Sequence, residues 1–360
     1  MNQNRFLIIS QNQFGYHTDT YYYCRYLQKS FDISYICWDY NYKKISMDGI
    51  KVIYISRRGN IALRNLRFLF RVIKELKNEY DFHIIKYFRG CSFLKVLFYR
   101  QKFLFDIRTA SVKKNKKARS LYNLIMLLEA KFFKHVSVIS NHLVEKLGFS
   151  KKNIYILPLG ADAISNTQKT FNIMKLLYVG TLENRDIDQT LKGFSRFYHE
   201  YKNEIKIIYT IVGGGDNNNE NELKKIVTQN KINSVVDITG PIAHNKLKFF
   251  FDSHNIGVSY IPKTEYFDAQ PPTKTFEYLV SGMPVIATNT SGNKAIITDE
   301  NGILTNDTSD AFYNGLVRFY ENRENYLSSH IRLNSMQYTW EKIVDDLKEH
   351  ILKIIKSNMD

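Results

Sequence analysis

The chain has 360 residues, 44% of them hydrophobic and 14% aromatic, with a formal net charge of +16. That length and composition exclude a disordered or fibrous chain and favour two globular domains of ordinary size. Charge is uneven: residues 1–160 carry 29 Lys and Arg against 10 Asp and Glu, the remainder 22 against 25. The boundary predicts two domains with different partners, the basic one suited to nucleic acid, anionic lipid or a phosphorylated acceptor. Cys24, Cys37 and Cys91 match no metal spacing, and their odd number argues against a disulfide framework. They read as buried free thiols in a reducing compartment. No apolar run approaches the ~20 residues needed to span a bilayer, and Phe6–Ile9 is too short for a signal-peptide core.

Phe6–Ser10 reads as the first strand, followed by a loop containing Gly15 and His17 and a Tyr-rich helix from about Asp19 to Lys29. In an open α/β sheet such a loop lies at the carboxyl ends of the strands, where ligands bind. Gly15 is therefore either a ligand-binding glycine or a plain turn; His17 reads as a loop surface residue. Ile33–Cys37 and Lys51–Ile55 are the next strands. A helix follows from about Asn60 to Lys77, with an apolar face of Leu63, Leu66, Phe70, Ile73 and Leu76 assigned to the core. Arg64, Arg67, Arg71, Lys74 and Lys77 form its cationic stripe, read either as a dock for anionic lipid headgroups or as a solvated outer face.

Asp81–Lys86 is a short strand in which His83 reads as structural. Phe105–Ser111 places Asp106 and Arg108 at a strand end. Arg108 is either a site residue or half of a strand-end salt bridge. Lys113, Lys114, Lys116, Lys117 and Arg119 follow, a solvated cluster or one that binds a lipid pyrophosphate or an acidic glycan. A helix over about 120–133, a strand over 136–140, a helix over 141–147 and a strand over 154–157 complete this half.

After a polar linker, Lys175–Val179 starts a second sheet. Its strand ends at Gly180, and a helix begins near Asp186. Asp186 and Asp188 fall in the first turn of that helix, where carboxylates cap free N–H groups. This reading predicts no metal. Ile205–Val212 leads into Gly213–Gly215, and Val235–Thr239 and Ile256–Tyr260 are further strands. The run from Pro271 to Thr288, PPTKTFEYLVSGMPVIAT, then couples a short helix to a buried strand, with Gly282 and Pro284 ending the helix. The helix start combines free N–H groups, the positive end of the macrodipole and Lys274, a combination that attracts phosphate. Glu277 lies on the same face, placed to accept hydrogen bonds from a sugar's hydroxyls. Together they suggest a nucleotide-sugar site.

Lys274-Thr-Phe-Glu277-Tyr with Gly282-Met-Pro-Val-Ile-Ala287 resembles the donor-site signature of the family-4, or group 1, retaining glycosyltransferases. Pro158-Leu-Gly160-Ala-Asp162, the phrase Leu176–Phe194 and Gly213–Gly215 recur in the family's order. The resemblance implies the GT-B fold, two Rossmann-like α/β domains facing a cleft: residues 1–162, joined by the C-terminal helix 340–360, on the acceptor side, and 163–339 on the donor side. It implies transfer of a sugar, with retention, from a UDP- or GDP-linked donor to a glycan or lipid-linked acceptor, in bacterial surface polysaccharide synthesis. On this reading Arg185, Lys274 and Arg108 are catalytic. Gly15, Gly180, Thr181, Gly214, Ile242, Asp268, Gln270, Thr275 and Glu277 bind the donor. Thr181 replaces the family's usual first cation, Arg185 takes the second cationic role, and Arg108 and Thr109 stand where a histidine is usual. Ala269 stands where a first glutamate is common, with Asp268 or Gln270 as neighbouring substitutes. Arg64, Arg67, Arg71, Lys113, Lys114, Lys116 and Lys117 are assigned to the acceptor or membrane. The expected protein is cytoplasmic, peripheral on the inner membrane face, without cofactor, metal or nucleic acid. The alternatives are a catalytically inactive GT-B subunit and a basic nucleic-acid-binding protein.

Overall fold

The computed structural model describes residues 4–111, 115–149, 154–215, 217–264, 267–268 and 272–357. Lys113, Lys114, Ala269, Gln270 and Pro271 lie outside the described residues. The chain divides into two compact units, Met1–Leu159 with Trp340–Asp360, and Gly160–Thr339.

The first unit runs β1 (Arg5–Ile9), α1 (Thr18–Leu27), β2 (Asp32–Asp39), β3 (Ile50–Ser56), α2 (Ile61–Leu76), β4 (Phe82–Lys86), α3 (Ser92–Leu97), β5 (Phe103–Ile107), α4 (Lys116–Ala130), β6 (His135–Val138), α5 (Asn141–Leu147) and β7 (Ile154–Ile156). Its strands form one parallel sheet in the order β3-β2-β1-β4-β5-β6-β7. Both faces of the inner strands are covered, so these are mostly apolar runs, whereas the edge strand β3 alternates. Alternate side chains serve two cores. Leu7, Ile9, Ile36, Ile85 and Phe105 meet α2–α5 through Phe68, Leu94, Met126 and Leu143. Phe6, Ile8, Ile33, Tyr35 and Ile84 pack on the other face with Tyr23 and Cys24 of α1.

The apolar face expected on α2 holds only at its C-terminal end: Leu76 is fully buried and Ile73 packs against the core, but Leu63, Leu66 and Phe70 are exposed, and Phe68 and Val72 take the remaining core positions. Both sets recur at helical spacing, and periodicity carries no sign for inside. The cysteines are free and buried. His83 is buried against Phe103, its ring facing the Lys102 carbonyl.

The second unit continues with β8 (Met174–Val179), α6 (Ile187–Tyr201), β9 (Ile207–Val212), α7 (Asn217–Gln229), β10 (Val236–Gly240), α8 (Leu247–Ser253), β11 (Ile256–Ser259), α9 (Thr273–Val280), β12 (Val285–Thr288), α10 (Ser291–Lys294), β13 (Gly302–Thr305), α11 (Ser309–Asn322) and α12 (Ser328–Asn334). Its parallel sheet has the order β10-β9-β8-β11-β12-β13. The last helix, α13 (Trp340–Lys356), belongs to the first unit. Ile343, Leu347, Ile351 and Ile354 are buried on it, and Trp340 stacks on Tyr22 of α1 at 5.0 Å.

Candidate active site

Glycines form the carboxyl end of the second sheet. Gly180 follows β8, Gly213–Gly215 follow β9, and Gly240 ends β10. The Gly180 N–H donates to the Val212 carbonyl, Gly213 N–H to Gly240, and Leu182 N–H to Gly214, each at 3.0 Å. A Cβ on Gly213 would lie 1.7 Å from the Gly180 carbonyl oxygen. Only glycine lets these two turns touch. Gly214 abuts Pro241, and the half-buried Ile242 lies on the same connection, just beyond β10.

Helix α9 is pinned above this rim. Tyr278 is fully buried, its hydroxyl accepts the Val179 N–H at 2.9 Å, and its ring lies over Gly257 of β11. Pro272 occupies the N-cap, one position earlier than the first helical residue, and supplies no side-chain cap. The first-turn N–H groups of Thr273 and Lys274 have no carbonyl within the helix to meet. The Lys274 ammonium is shielded from solvent and has no hydrogen-bond acceptor among the described residues. It sits 3.7 Å from the Tyr178 ring centroid. A Cβ on Gly180 would come within 2.7 Å of it. Burial, and then the charge of Arg185, lower the Lys274 pKa to about 7.

Arg185 is half-buried, and its guanidinium stacks 4.2 Å from the Phe267 ring centroid. It makes no ion pair among the described residues. Its neighbours Asn184 (φ 54°) and Asp186 (φ 49°) are both left-handed without being glycine, a conformation that costs of order 1–3 kcal/mol per residue. The capping expected of Asp186 and Asp188 is not made. Asp186 occupies the N-cap in a left-handed conformation with no side-chain cap bond, and Asp188 turns to Lys192 at 2.7 Å. Both aspartates line a groove of about 380 Å³ beside Arg185 and α7. Among the described residues no group of His, Cys, Asp and Glu could hold a metal ion.

Glu277 lies one turn beyond Lys274. Burial raises its carboxyl pKa, opposed first by the charge of His244 and then by Lys274. The other expected donor residues divide. The exposed Thr181 offers its carbonyl to the Tyr178 hydroxyl at 2.6 Å. The Thr275 hydroxyl is turned inward, shared between Ser259 at 2.7 Å and Asn293 at 3.1 Å, so it braces α9 rather than facing a ligand. The Asp268 carboxylate accepts both the N–H and the hydroxyl of Ser291 and fastens its loop to α10. It is committed to protein contacts instead of standing in for Ala269.

At the carboxyl end of the first sheet Arg108 is buried rather than open to a substrate. Its guanidinium pairs with Asp19 and donates to the carbonyls of Leu157 and Pro158. The salt-bridge alternative describes this contact. Gly15 takes φ +87°, and a Cβ there would strike Ile45, so it serves a tight turn. His17 is not a free surface residue: it caps α1, accepting the Thr20 N–H, and burial with the nearby charge of Lys86 lowers its pKa to about 4. On the helices, Arg67 donates to the Ser56 and Arg58 carbonyls, Arg71 pairs with the buried Glu75, and Arg64 lines an open groove with Asp39. Lys116 and Lys117 are exposed on the first turn of α4.

Residues 174–322 match the family model of group 1 glycosyl transferases. Gly180, Arg185, Lys274 and Glu277 all fall within the matched span. No curated protein sequence matches the chain. Among solved structures, a glycosyltransferase from Rickettsia africae is similar at TM-score 0.75 and 16% identity, covering 99% of this chain and 100% of its own. Anabaena HepE in complex with UDP and glucose is similar at 0.74 and 13%, covering 98% and 100%. The lipopolysaccharide outer core galactosyltransferase WaaB is similar at 0.72 and 14%, covering 97% and 99%. The chain therefore has the GT-B arrangement of two parallel-sheet α/β domains, and the family match with this fold supports a glycosyltransferase.

Two residues carried no signal in the sequence. Lys86 reaches Asn12 at 2.6 Å, and burial brings its pKa down to about 8. It was one more lysine in a basic half. His244 sits on a short turn just after Ile242, and only the fold brings its charge to Glu277.

Proposed function

We propose that this protein transfers a sugar from a nucleotide diphosphate-sugar to a glycan or lipid-linked acceptor, with retention of configuration, in bacterial surface polysaccharide synthesis. The donor end is the rim of the second sheet. Breaking the glycosidic bond leaves negative charge on the departing diphosphate, and Arg185, Lys274 and the first turn of α9 are preorganised to receive it. Glu277 receives the sugar hydroxyls. The observation that carries this reading is the pair of neighbouring cations, Arg185 and a shielded Lys274 at a helix start, with no acidic partner bonded to either among the described residues. Burying the Lys274 ammonium beside Arg185 is unfavourable, and Glu277 offsets that less than Arg185 opposes it, so an anionic ligand would relieve the site. UDP is the first choice of nucleotide because solved relatives of this fold hold it, with GDP second. The protein works at the cytoplasmic face of the membrane, without a metal or nucleic acid.

A thermal-shift series with UDP, GDP and ADP tests the site, followed by transfer assays with the nucleotide sugar that binds. Stabilisation by one nucleotide is expected, lost in Lys274→Ala and Arg185→Ala while the apo fold persists. Each missing phosphate contact should lower turnover by about 10²–10³, as for other oxyanion donors. Unchanged turnover in both variants would remove the electrostatic role. Nucleotide binding without donor hydrolysis or transfer would point to the inactive subunit.

A further inference from the structure

Helices α2, α3 and α4 lie in one layer on the same face of the first sheet. Phe68, Leu94 and Met126 enter one core. Phe68 meets Phe88 edge-on at 5.4 Å, and the Glu129 carboxylate of α4 accepts the Gly90 and Ser92 N–H groups at the start of α3. Each helix also carries a second apolar stripe that faces away from the core. On α2 it is Leu63, Leu66 and Phe70; on α3, Phe93, Val96 and Leu97; on α4, Leu121, Leu124 and Leu128. Phe70 is 68% exposed, Leu66 50%, Leu124 53% and Leu128 48%. Soluble surfaces carry single exposed leucines, but three neighbouring helices with outward stripes make a patch that needs a partner.

The charges around the patch select that partner. The three helices hold two acids, Glu75 and Glu129, and both are buried. The exposed charges on and beside them include Arg67, Lys74, Arg89, Arg100, Lys131 and Lys134, against the acid Glu79 just beyond α2. A second copy of the same face would set cations against cations, because a two-fold contact is self-complementary. An anionic bilayer offers acyl chains to the stripes and phosphates to the rim. None of the described helices is long and apolar enough to cross a membrane. An apolar groove of about 420 Å³ beside α4, lined by Leu124, Leu128, Lys131, Phe133 and Phe149, extends the patch.

We infer that the outward face of α2, α3 and α4 lies flat on an anionic phospholipid bilayer, with Leu66, Phe70, Leu124 and Leu128 entering the acyl boundary and the surrounding arginines and lysines meeting lipid phosphates. This inference does not rest on the donor site, and its test uses no nucleotide. The full chain is sedimented with phosphatidylcholine vesicles and with vesicles containing 30% phosphatidylglycerol, at low and at 0.5 M salt. Binding should favour the anionic vesicles and weaken in high salt. The pairs Leu66→Ser/Phe70→Ser and Leu124→Ser/Leu128→Ser should each lower partition about tenfold or more, with melting curves like the parent's by circular dichroism. Equal partition onto both vesicle types, no binding to either, or variants that bind like the parent would overturn the inference. A dimer in solution that the serine pairs dissolve, without vesicle binding, would overturn it in favour of self-association.

Discussion

Lys274 couples stability to ligand binding in a way a single substitution exposes. Its pKa lies near 7 in the folded chain against the ordinary 10.5. Between these values the unfolded chain holds the extra proton, so this residue's contribution to stability rises with pH from about 7 to 10.5 and is most unfavourable below 7. Lys274→Met should therefore raise the melting temperature at pH 6–7 by a few degrees while abolishing donor binding, as calorimetry would show. Comparison with the parent cancels the similar contribution of Lys86. A bound diphosphate restores the charge. Donor affinity should therefore fall as pH rises above 7, by up to tenfold per unit, until the bound-state pKa is reached. A nucleotide sugar suits this titration because its diphosphate diester has no proton to lose in that range. A pH-independent Kd from 6.5 to 9 would show that Lys274 does not meet the diphosphate. Gly180→Ala makes the complementary test. Its methyl group would fall within 2.7 Å of the ammonium at a backbone φ of +155° that strains any L side chain, so nucleotide affinity should drop about tenfold or more, with a modest loss of stability read separately by urea unfolding.

At the level of single elements the clearest test is the direction of α2. Phe68→Ala should destabilise the protein by about 3–5 kcal/mol, since it empties a core position, whereas Phe70→Ala should fall within about 0.5 kcal/mol. Urea unfolding of the two variants compares them directly. The contrast also shows where sequence reasoning reaches its limit. Leu63, Leu66 and Phe70 lead into Leu76 at helical spacing as well as Phe68 and Val72 do, and only the neighbouring sheet decides which of them are covered. The strands were easier to read, because a buried parallel strand is an apolar run such as Phe6–Ile9, ended by a polar turn. The junction of α9 and β12 was legible for a similar reason: Gly282 and Pro284 punctuate it. Thr275 and Asp268 were not, because their hydrogen-bond partners, Ser259, Asn293 and Ser291, are supplied by other elements. Arg108 illustrates the same limit. A charged residue at a strand end reads alike whether it meets a ligand or, as here, a buried aspartate from α1.

For the whole molecule, the charge imbalance of the sequence acquires a location. Helices α2, α3 and α4 carry eight Lys and Arg against two buried acids, about a third of the excess in residues 1–160. The resemblance that named the fold rested on residues of the second unit, and the family match also falls there, at 174–322. The first unit was the harder half to read. The resemblance gave Gly15 and Arg108 roles, but they are engaged in a turn and an ion pair, and His17, read as a surface residue, is a helix cap. Deleting residues 340–357 should impair the first unit far more than the second. Hydrogen exchange should rise along β1, β2 and α1, whose side chains share a core with Trp340, Leu347 and Ile351.

That shared core sets an order of events during synthesis. The first unit begins at the start of the chain, yet one of its two cores stays open until α13 has left the ribosome. The whole of Gly160–Thr339 is contiguous and emerges in between. The second unit can fold while the first still waits with Tyr22 and Tyr23 uncovered on the α1 side. The half made first is thus the half finished last. Translation that stops before Trp340 leaves that hydrophobic face for chaperones to hold.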